Sequence, residues 1–341
     1  METMEVKIKM GDFYKGKRVL ITGANGFLGS HLTIGMLDKG AYVIGIIKEE
    51  PRFTFLKIGL KETKTDKLKI IKSDIVDYKS MLKIFKKFKP DICLHVAAQA
   101  IVGIANNSPV QTLETNIKGT WNILEVARIC NTKAVVVASS DKAYGEHKKL
   151  PYKEEAALCA LHPYDASKSC ADILSRAYAH TYGLNTAVTR CANIYGPGDF
   201  NFSRIIPDTI RCAIQDKNPI IRSDGTPLRD YIYIDDIVGA YFLLAERLYN
   251  KRVRPGEAFN FGTGKPISVL SLVHKILSIA KKRNLKPEIL SKRKIKGEID
   301  KQYLSSLKAR TKLGWKYRHS LEVGLTKTFT WYSAYLKYPN P

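Results

Sequence analysis

The apolar run Arg18-Val19-Leu20-Ile21-Thr22 leads straight into Gly23-Ala24-Asn25-Gly26-Phe27-Leu28-Gly29, with glycines three residues apart. A strand, a turn too tight for side chains and a helix must follow one another here. Such a turn lets a pyrophosphate approach the helix N-terminus, where unpaired N–H groups and the helix dipole favour anions. A glycine string alone is weak evidence, but its place directly after the first strand makes it specific. Gly23, Asn25, Gly26, Phe27, Leu28 and Gly29 are therefore candidate cofactor contacts.

Strand and helix signals alternate beyond this turn. His31 to Lys39 reads as a helix stopped by Gly40, and Ala41 to Ile47 as a second strand. Strands are expected over 68–71, 91–96, 134–139 and 184–191, with helices over 78–88, 110–130 and 164–182. Alternation of this kind argues for βαβ units and a parallel sheet covered on both faces. After residue 195 the pattern changes at Gly196-Pro197-Gly198. Residues 230–262 briefly resemble the first half, and 265–341 read as mainly helical. The expected fold class is α/β: a doubly wound Rossmann sheet over 1–192 plus 229–262, with a smaller substrate domain over 193–228 plus 263–341.

Composition narrows the function. A hydrophobic fraction of 45% and a charged fraction of 26% over 341 residues are those of a soluble globular protein. Apolar runs such as Ala134-Val135-Val136-Val137-Ala138 are strand-sized, so no membrane span is expected, and the N-terminus lacks an apolar signal region. Six scattered cysteines without a Cys-x-x-Cys pair argue against a metal site or a disulfide framework and for a reducing cytoplasm. The net charge of +24 raises nucleic-acid binding. The lysines are spread along the chain, however, and no basic helix with interleaved aromatics stands out. The charge reads as a solvated surface with attraction for a phosphorylated substrate, and no nucleic-acid partner is expected.

Two segments carry the chemistry. Tyr164 and Lys168 stand at i and i+4, on one face of a helix. The lysine can hold the phenol ionised, and a phenolate is a base for an alcohol proton. Ser140-Asp141-Lys142 sets a hydroxyl, a carboxyl and an amine side by side. Together they point to oxidation of an alcohol followed by acid–base work on a neighbouring carbon. Tyr144 and Lys148 have the same spacing but fall in a turn-like segment, which makes them a decoy. Asp74-Ile75 and Ala97-Ala98-Gln99 follow the third and fourth strands and are candidate cofactor contacts. Glu49 would suit the ribose of NAD, whereas Lys48 or Arg52 would suit the phosphate of NADP. Asn116 reads equally as a cofactor contact or a structural helix residue, and His95 as a buried structural histidine.

These motifs, together with Arg190-Cys191-Ala192-Asn193-Ile194-Tyr195-Gly196-Pro197 and Arg229-Asp230-Tyr231, resemble the extended short-chain dehydrogenase/reductase family over nearly the whole chain. The resemblance implies an NAD-dependent enzyme, with NADP as the alternative cofactor. It also implies a nucleotide-diphosphate sugar as substrate, a C-terminal sugar-nucleotide domain and a homodimer built on a four-helix bundle. Asp141-Lys142 resembles the CDP-glucose 4,6-dehydratase variant, and so do Ala97-Ala98-Gln99 and His162-Pro163-Tyr164. Two features depart from it: serine stands at 140 where threonine is usual, and the stretch 147–161 is short. The implied roles follow residue by residue. Tyr164 takes the 4-OH proton, Lys168 supports the phenolate and Ser140 bonds O4. Lys142 is the base at C5, and Asp141 protonates the leaving 6-OH. Asn193 and Arg229, with Arg204 a weaker candidate, would hold the diphosphate. The alternative activity is a sugar-nucleotide 4-epimerase of the UDP-glucose/galactose type, with Asp141 and Lys142 as bystanders.

Overall fold

The computed structural model describes residues 12–50, 54–60, 65–291 and 299–337. Its elements run in chain order β1 (Arg18–Thr22), α1 (Phe27–Asp38), β2 (Tyr42–Ile47), β3 (Leu68–Lys72), α2 (Tyr78–Phe88), β4 (Ile92–His95), α3 (Gly119–Ile129), β5 (Ala134–Ala138), α4 (Pro163–Tyr182) and β6 (Thr186–Cys191). The second half adds α5 (Ile205–Ile214), α6 (Ile234–Tyr249), β7 (Ala258–Phe261), α7 (Val269–Ile279) and α8 (Leu321–Lys337). The seven strands form one parallel sheet in the order β7-β6-β5-β4-β1-β2-β3. This is the doubly wound pattern, which opens a crevice where the winding reverses beside β1.

Local sequence explains the elements. In α2, Met81, Ile84 and Phe85 fall on one face and are buried, while Lys79, Lys83, Lys86 and Lys87 point to water. Asp77 caps the helix by accepting from the Ser80 N–H at 3.1 Å, and Lys89 ends it in the left-handed region. Each of the three buried side chains contributes about 1.5–3 kcal/mol relative to exposure. Central strands β4 and β5 are almost wholly buried, which accounts for their continuous apolar runs. Edge strand β3 exposes Lys69 and Lys72, which discourages pairing with another chain.

One core lies under α1 and α6 (Leu32, Met36, Tyr241, Leu244) and a second under α2 and α3 (Met81, Phe85, Ile123, Leu124). A third joins α5, α7 and α8 through Ile206, Ile210, Leu272, Ile276, Leu325 and Tyr332. Short ribbons lie outside the large sheet: Asn193–Tyr195 beside Tyr231–Tyr233, and Ile267–Ser268 and Lys301–Gln302 flanking Leu228–Arg229.

The structure adds detail to two expectations. The helix read over 110–130 is present and contains a π-turn: Pro109–Leu113 passes through Glu114–Lys118 into α3. Such bulges recur at functional sites. The described part of 265–341 is mainly helical, as expected, through α7, a π-turn at Ala309–Leu313 and α8, with added short strands at 267–268, 288–289 and 301–302. Their two-residue lengths are too short to leave a period in the sequence.

A buried ion pair locks α4 to the sheet. Arg190 on β6 donates from Nε and Nη2 to the two oxygens of Asp172 on α4, at 2.7 and 2.9 Å, with both side chains almost wholly buried. Its Nη1 donates to the Tyr144 hydroxyl at 2.8 Å. Removing one partner strands the other charge. Asp172→Ala should therefore lower the unfolding free energy by about 3–5 kcal/mol in urea denaturation, and a loss below about 1 kcal/mol would contradict this account of the pair.

Candidate active site

Gly23 and Gly29 of the β1–α1 turn have no room for a side chain. Gly23 has φ +67°, and a Cβ there would lie 2.9 Å from the Ala97 Cα. A Cβ on Gly29 would lie 1.9 Å from the Gly23 carbonyl oxygen. Gly26 caps α1 without a side-chain bond, so no side chain of the cap occupies the backbone N–H groups of the first turn. Phe27 and Leu28 open the helix, and Asn25 donates from Nδ2 to the Glu49 carbonyl at 2.6 Å, tying the turn to the end of β2.

The ends of β3 and β4 line the same crevice. Asp74 accepts from the Val76 N–H at 3.0 Å and pairs with Lys48 at 2.9 Å, so Lys48 is engaged locally. Arg52 lies outside the described residues. Ile75 is buried, and a Cβ on Gly119 would lie 2.5 Å from it. Thr22 Oγ1 accepts from the Val96 and Ala97 N–H groups, both at 3.1 Å. Its hydroxyl is also 2.8 Å from His95 Nδ1, and His95 Nε2 is 3.1 Å from Thr120 Oγ1, which itself donates to the Asn116 carbonyl. These directions leave the ring proton on Nε2. Burial lowers His95 to about 3, so it stays neutral and acts as a strut. Asn116, in the π-turn, brackets Gln99 by accepting from its N–H at 2.8 Å and donating to its carbonyl at 3.0 Å. It also donates to Ser167 Oγ at 2.8 Å, on α4. Ala98 sits between these anchored residues with no side chain beyond Cβ.

The Ser140-Asp141-Lys142 segment follows β5 as a 3-10 turn, Asp141–Tyr144, capped by Ser140 Oγ, which accepts from the Lys142 N–H at 3.2 Å. Ser169 on α4 donates to the Ala143 carbonyl at 2.9 Å, pinning this turn against the helix that carries Tyr164 and Lys168. Ser140 donates to Asp141 Oδ1 at 3.1 Å, while Asp141 Oδ2 is buried without a hydrogen-bond partner among the described residues. Burial raises the Asp141 carboxyl from 3.8 to about 6, against the opposing pull of Lys142, so this acid can hold a proton near neutral pH.

Burial also pushes Tyr164 up to about 12, while the Arg204 guanidinium favours its phenolate. Lys168 is lowered to about 8 by burial and donates to the Ala138 carbonyl at 2.9 Å, at the end of β5. Tyr144 is excluded as the base. Its hydroxyl donates to Asn260 Oδ1 at 2.7 Å and its ring lies 4.8 Å under the Arg190 guanidinium, so it belongs to the core.

The second half supplies three further residues read from sequence. Asn193 donates from Nδ2 to the Asp230 carbonyl at 3.0 Å, and Arg229 donates to the Leu228 carbonyl at 3.0 Å while lying close enough to Asp141 to favour its charged form. Arg204 is ion-paired with Asp199 at 2.9 Å. Sequence reasoning missed Gln302, which accepts from Lys142 Nζ at 3.3 Å. It lies on a two-residue strand far along the chain, where no spacing flags it. Among the described residues no cluster of His, Cys, Asp and Glu could hold a metal, and no helix is long and apolar enough to cross a membrane.

A family model for GDP-mannose 4,6-dehydratases matches residues 20–328. The chain belongs to that family. It is similar to the CDP-glucose 4,6-dehydratase of Salmonella typhimurium, 29% identical over 96% of this chain and 93% of that protein. Among solved structures it resembles the UDP-glucose 4-epimerase of Thermotoga maritima with UDP-glucose, at TM-score 0.82 and 30% identity, covering 94% of this chain and 99% of that one. It also resembles the dTDP-glucose 4,6-dehydratase of Streptomyces venezuelae with NAD bound, at TM-score 0.82 and 27% identity over 93% and 97% of the two chains. A 4-epimerase and a 4,6-dehydratase of known structure thus share this fold.

The raised carboxyl has a signed consequence for stability. The unfolded chain gives up the Asp141 proton near pH 3.8 and the native state near 6, so this group penalises folding increasingly as pH rises between those values. The penalty reaches about 3 kcal/mol once pH exceeds the native value. Asp141→Asn removes it. The stability advantage of that variant over wild type should grow by about 1–1.5 kcal/mol between about pH 5 and about pH 8 in urea unfolding. A constant offset would show that Asp141 is ionised in the native state throughout.

Proposed function

We propose that the protein is a nucleotide-diphosphate-hexose 4,6-dehydratase of the CDP-glucose type, forming a 4-keto-6-deoxy sugar nucleotide. The observation that carries this is Asp141: a buried carboxyl with one unpartnered oxygen and a raised affinity for protons, beside an amine and facing the Tyr164 helix. An epimerase needs only the alcohol-oxidising set. A second acid–base pair in the same pocket has work to do only if water is eliminated.

The crevice suits NAD. The glycine turn leaves the N-terminus of α1 open to a pyrophosphate, Asp74 stands at the end of β3, and Ala97 and Ala98 keep the wall of the crevice shallow. Gly23, Asn25, Gly26, Phe27, Leu28, Gly29, Asp74, Ile75, Ala97, Ala98, Gln99, Asn116, Tyr164 and Lys168 are the proposed contacts. Bound NAD would accept the C4 hydride and return it at C6.

The chain's own residues move the protons. Tyr164, as phenolate, takes the proton of the 4-OH, with Ser140 donating to O4 and Lys168 supplying positive charge. The 4-ketone acidifies the C5 proton, which Lys142 removes as the base. Asp141 gives its proton to the departing 6-OH, releasing water, and Lys142 returns its proton to C5. One water leaves and no other atom is gained or lost.

Asn193, Arg204 and Arg229 are proposed diphosphate contacts, Arg229 through its planar guanidinium. Residues 1–192 plus 229–262 are the proposed cofactor domain and 193–228 plus 263–341 the sugar-nucleotide domain. A homodimer is supported by Val110, Leu113, Trp121 and Ile173, large apolar side chains left exposed on neighbouring helices before and within α3 and α4. Free cysteines agree with a cytoplasmic setting.

Incubation with CDP-, dTDP-, UDP- and GDP-hexoses, followed by mass analysis, should show one member losing a water. A new stereoisomer of unchanged mass would make the protein an epimerase. Tyr164→Phe should reduce turnover by at least about 10²-fold, and wild-type-like turnover would remove Tyr164 as the base.

A further inference from the structure

Gln302 lies on the strand Lys301–Gln302, which runs parallel to Leu228–Arg229 and places it opposite Arg229. Its side chain is fully buried. Oε1 accepts a hydrogen bond from Lys142 Nζ at 3.3 Å, while the Nε2 amide group, also buried, has no hydrogen-bond partner among the described residues. A buried donor left unpaired costs about 1–3 kcal/mol, so a fold that keeps one beside a candidate base holds it ready for a ligand atom. Asp141 Oδ2, on the same turn as Lys142, is likewise buried and unpartnered. Two unmatched polar atoms, a donor and an acceptor, thus belong to the residue bonded to this amine and to its chain neighbour.

We infer that Gln302 is a substrate-contacting positioning residue: its Oε1 aims the Lys142 amine at C5, and its Nε2 donates to a sugar oxygen beside the C5–C6 bond. This rests on the dehydratase reading. An amide suits the task. It orients an amine without carrying charge, whereas a carboxylate there would stabilise the ammonium form and disable the base. The charged groups that face Lys142 are Asp141 on its own turn and Asp165 on α4, with Arg229 and Asp230 beside Asp141. Gln302 adds no charge to this set.

The test uses the NAD-loaded enzyme with the hexose nucleotide that wild type turns over, in deuterated water. Gln302→Met removes the amide at similar length, and Gln302→Glu keeps the shape but adds charge. Three quantities are read in single turnover: the absorbance of reduced nicotinamide, deuterium uptake at C5 and loss of water. For Gln302→Met, oxidation at C4 should persist while C5 uptake and water loss slow roughly tenfold or more, so reduced nicotinamide builds up. For Gln302→Glu, the pH at which C5 uptake is half-maximal should rise by about one unit. Wild-type C5 uptake, water loss and pH midpoint in both variants would overturn the inference while leaving the dehydratase intact. Should Gln302→Met not fold, the pH midpoint of Gln302→Glu decides alone. If wild type itself releases an epimer and no water, the dehydratase reading falls and the inference falls with it.

Discussion

All seven strands of the large sheet run the same way, and the site depends on that constraint. A parallel sheet delivers every strand's carboxyl end to one edge, so the residues that follow the strands meet there whatever their distance in sequence. Gly23 after β1, Asp74 after β3, Ala97 after β4 and Ser140 after β5 share that edge because the registers of neighbouring strands are fixed by their backbone ladders. The strand ends are braced in turn. Thr22, His95, Thr120, Asn116 and Gln99 form one hydrogen-bonded chain from β1 to the π-turn. That chain reaches α4 through Ser167, three residues from Tyr164.

Against this rigid frame the 140–144 turn carries the unfavourable electrostatics. Asp141 is buried with half of its carboxylate unpartnered, and Gln302 faces Lys142 with a donor to spare. Such groups persist where the surrounding structure is overdetermined. Here the Arg190–Asp172 pair, the Tyr144–Asn260 bond and the Ser169–Ala143 bond hold the turn from behind. The geometry therefore separates support from chemistry: the groups behind the turn are matched, whereas Asp141 Oδ2 and Gln302 Nε2 are not.

Much of this was legible in the sequence. The α2 helix falls at 78–88 as its apolar spacing and capping aspartate require, and the buried strands appear as unbroken apolar runs. Tyr164 and Lys168 share α4 as their spacing demands, and the Ser140 turn packs against that helix. The rest depended on long-range contact. Nothing local marks the π-turn at 114–118, which joins two good helical patterns. The two-residue strand at 301–302 is too short to show a period, so Gln302 carries no signal until Leu228–Arg229 pairs with it. Lys48, a candidate for the phosphate of NADP, is paired with Asp74, because β2 and β3 are neighbours.

The central claim is that one molecule of substrate is oxidised at C4 and reduced at C6 without leaving the enzyme. The most direct measurement follows a deuterium placed at C4 of the sugar nucleotide that the protein turns over, mixed with unlabelled substrate. The account predicts a dehydrated product with deuterium at C6 of the same molecule and none transferred to its unlabelled neighbours. Deuterium found back at C4, in a product that has kept its water, would contradict it.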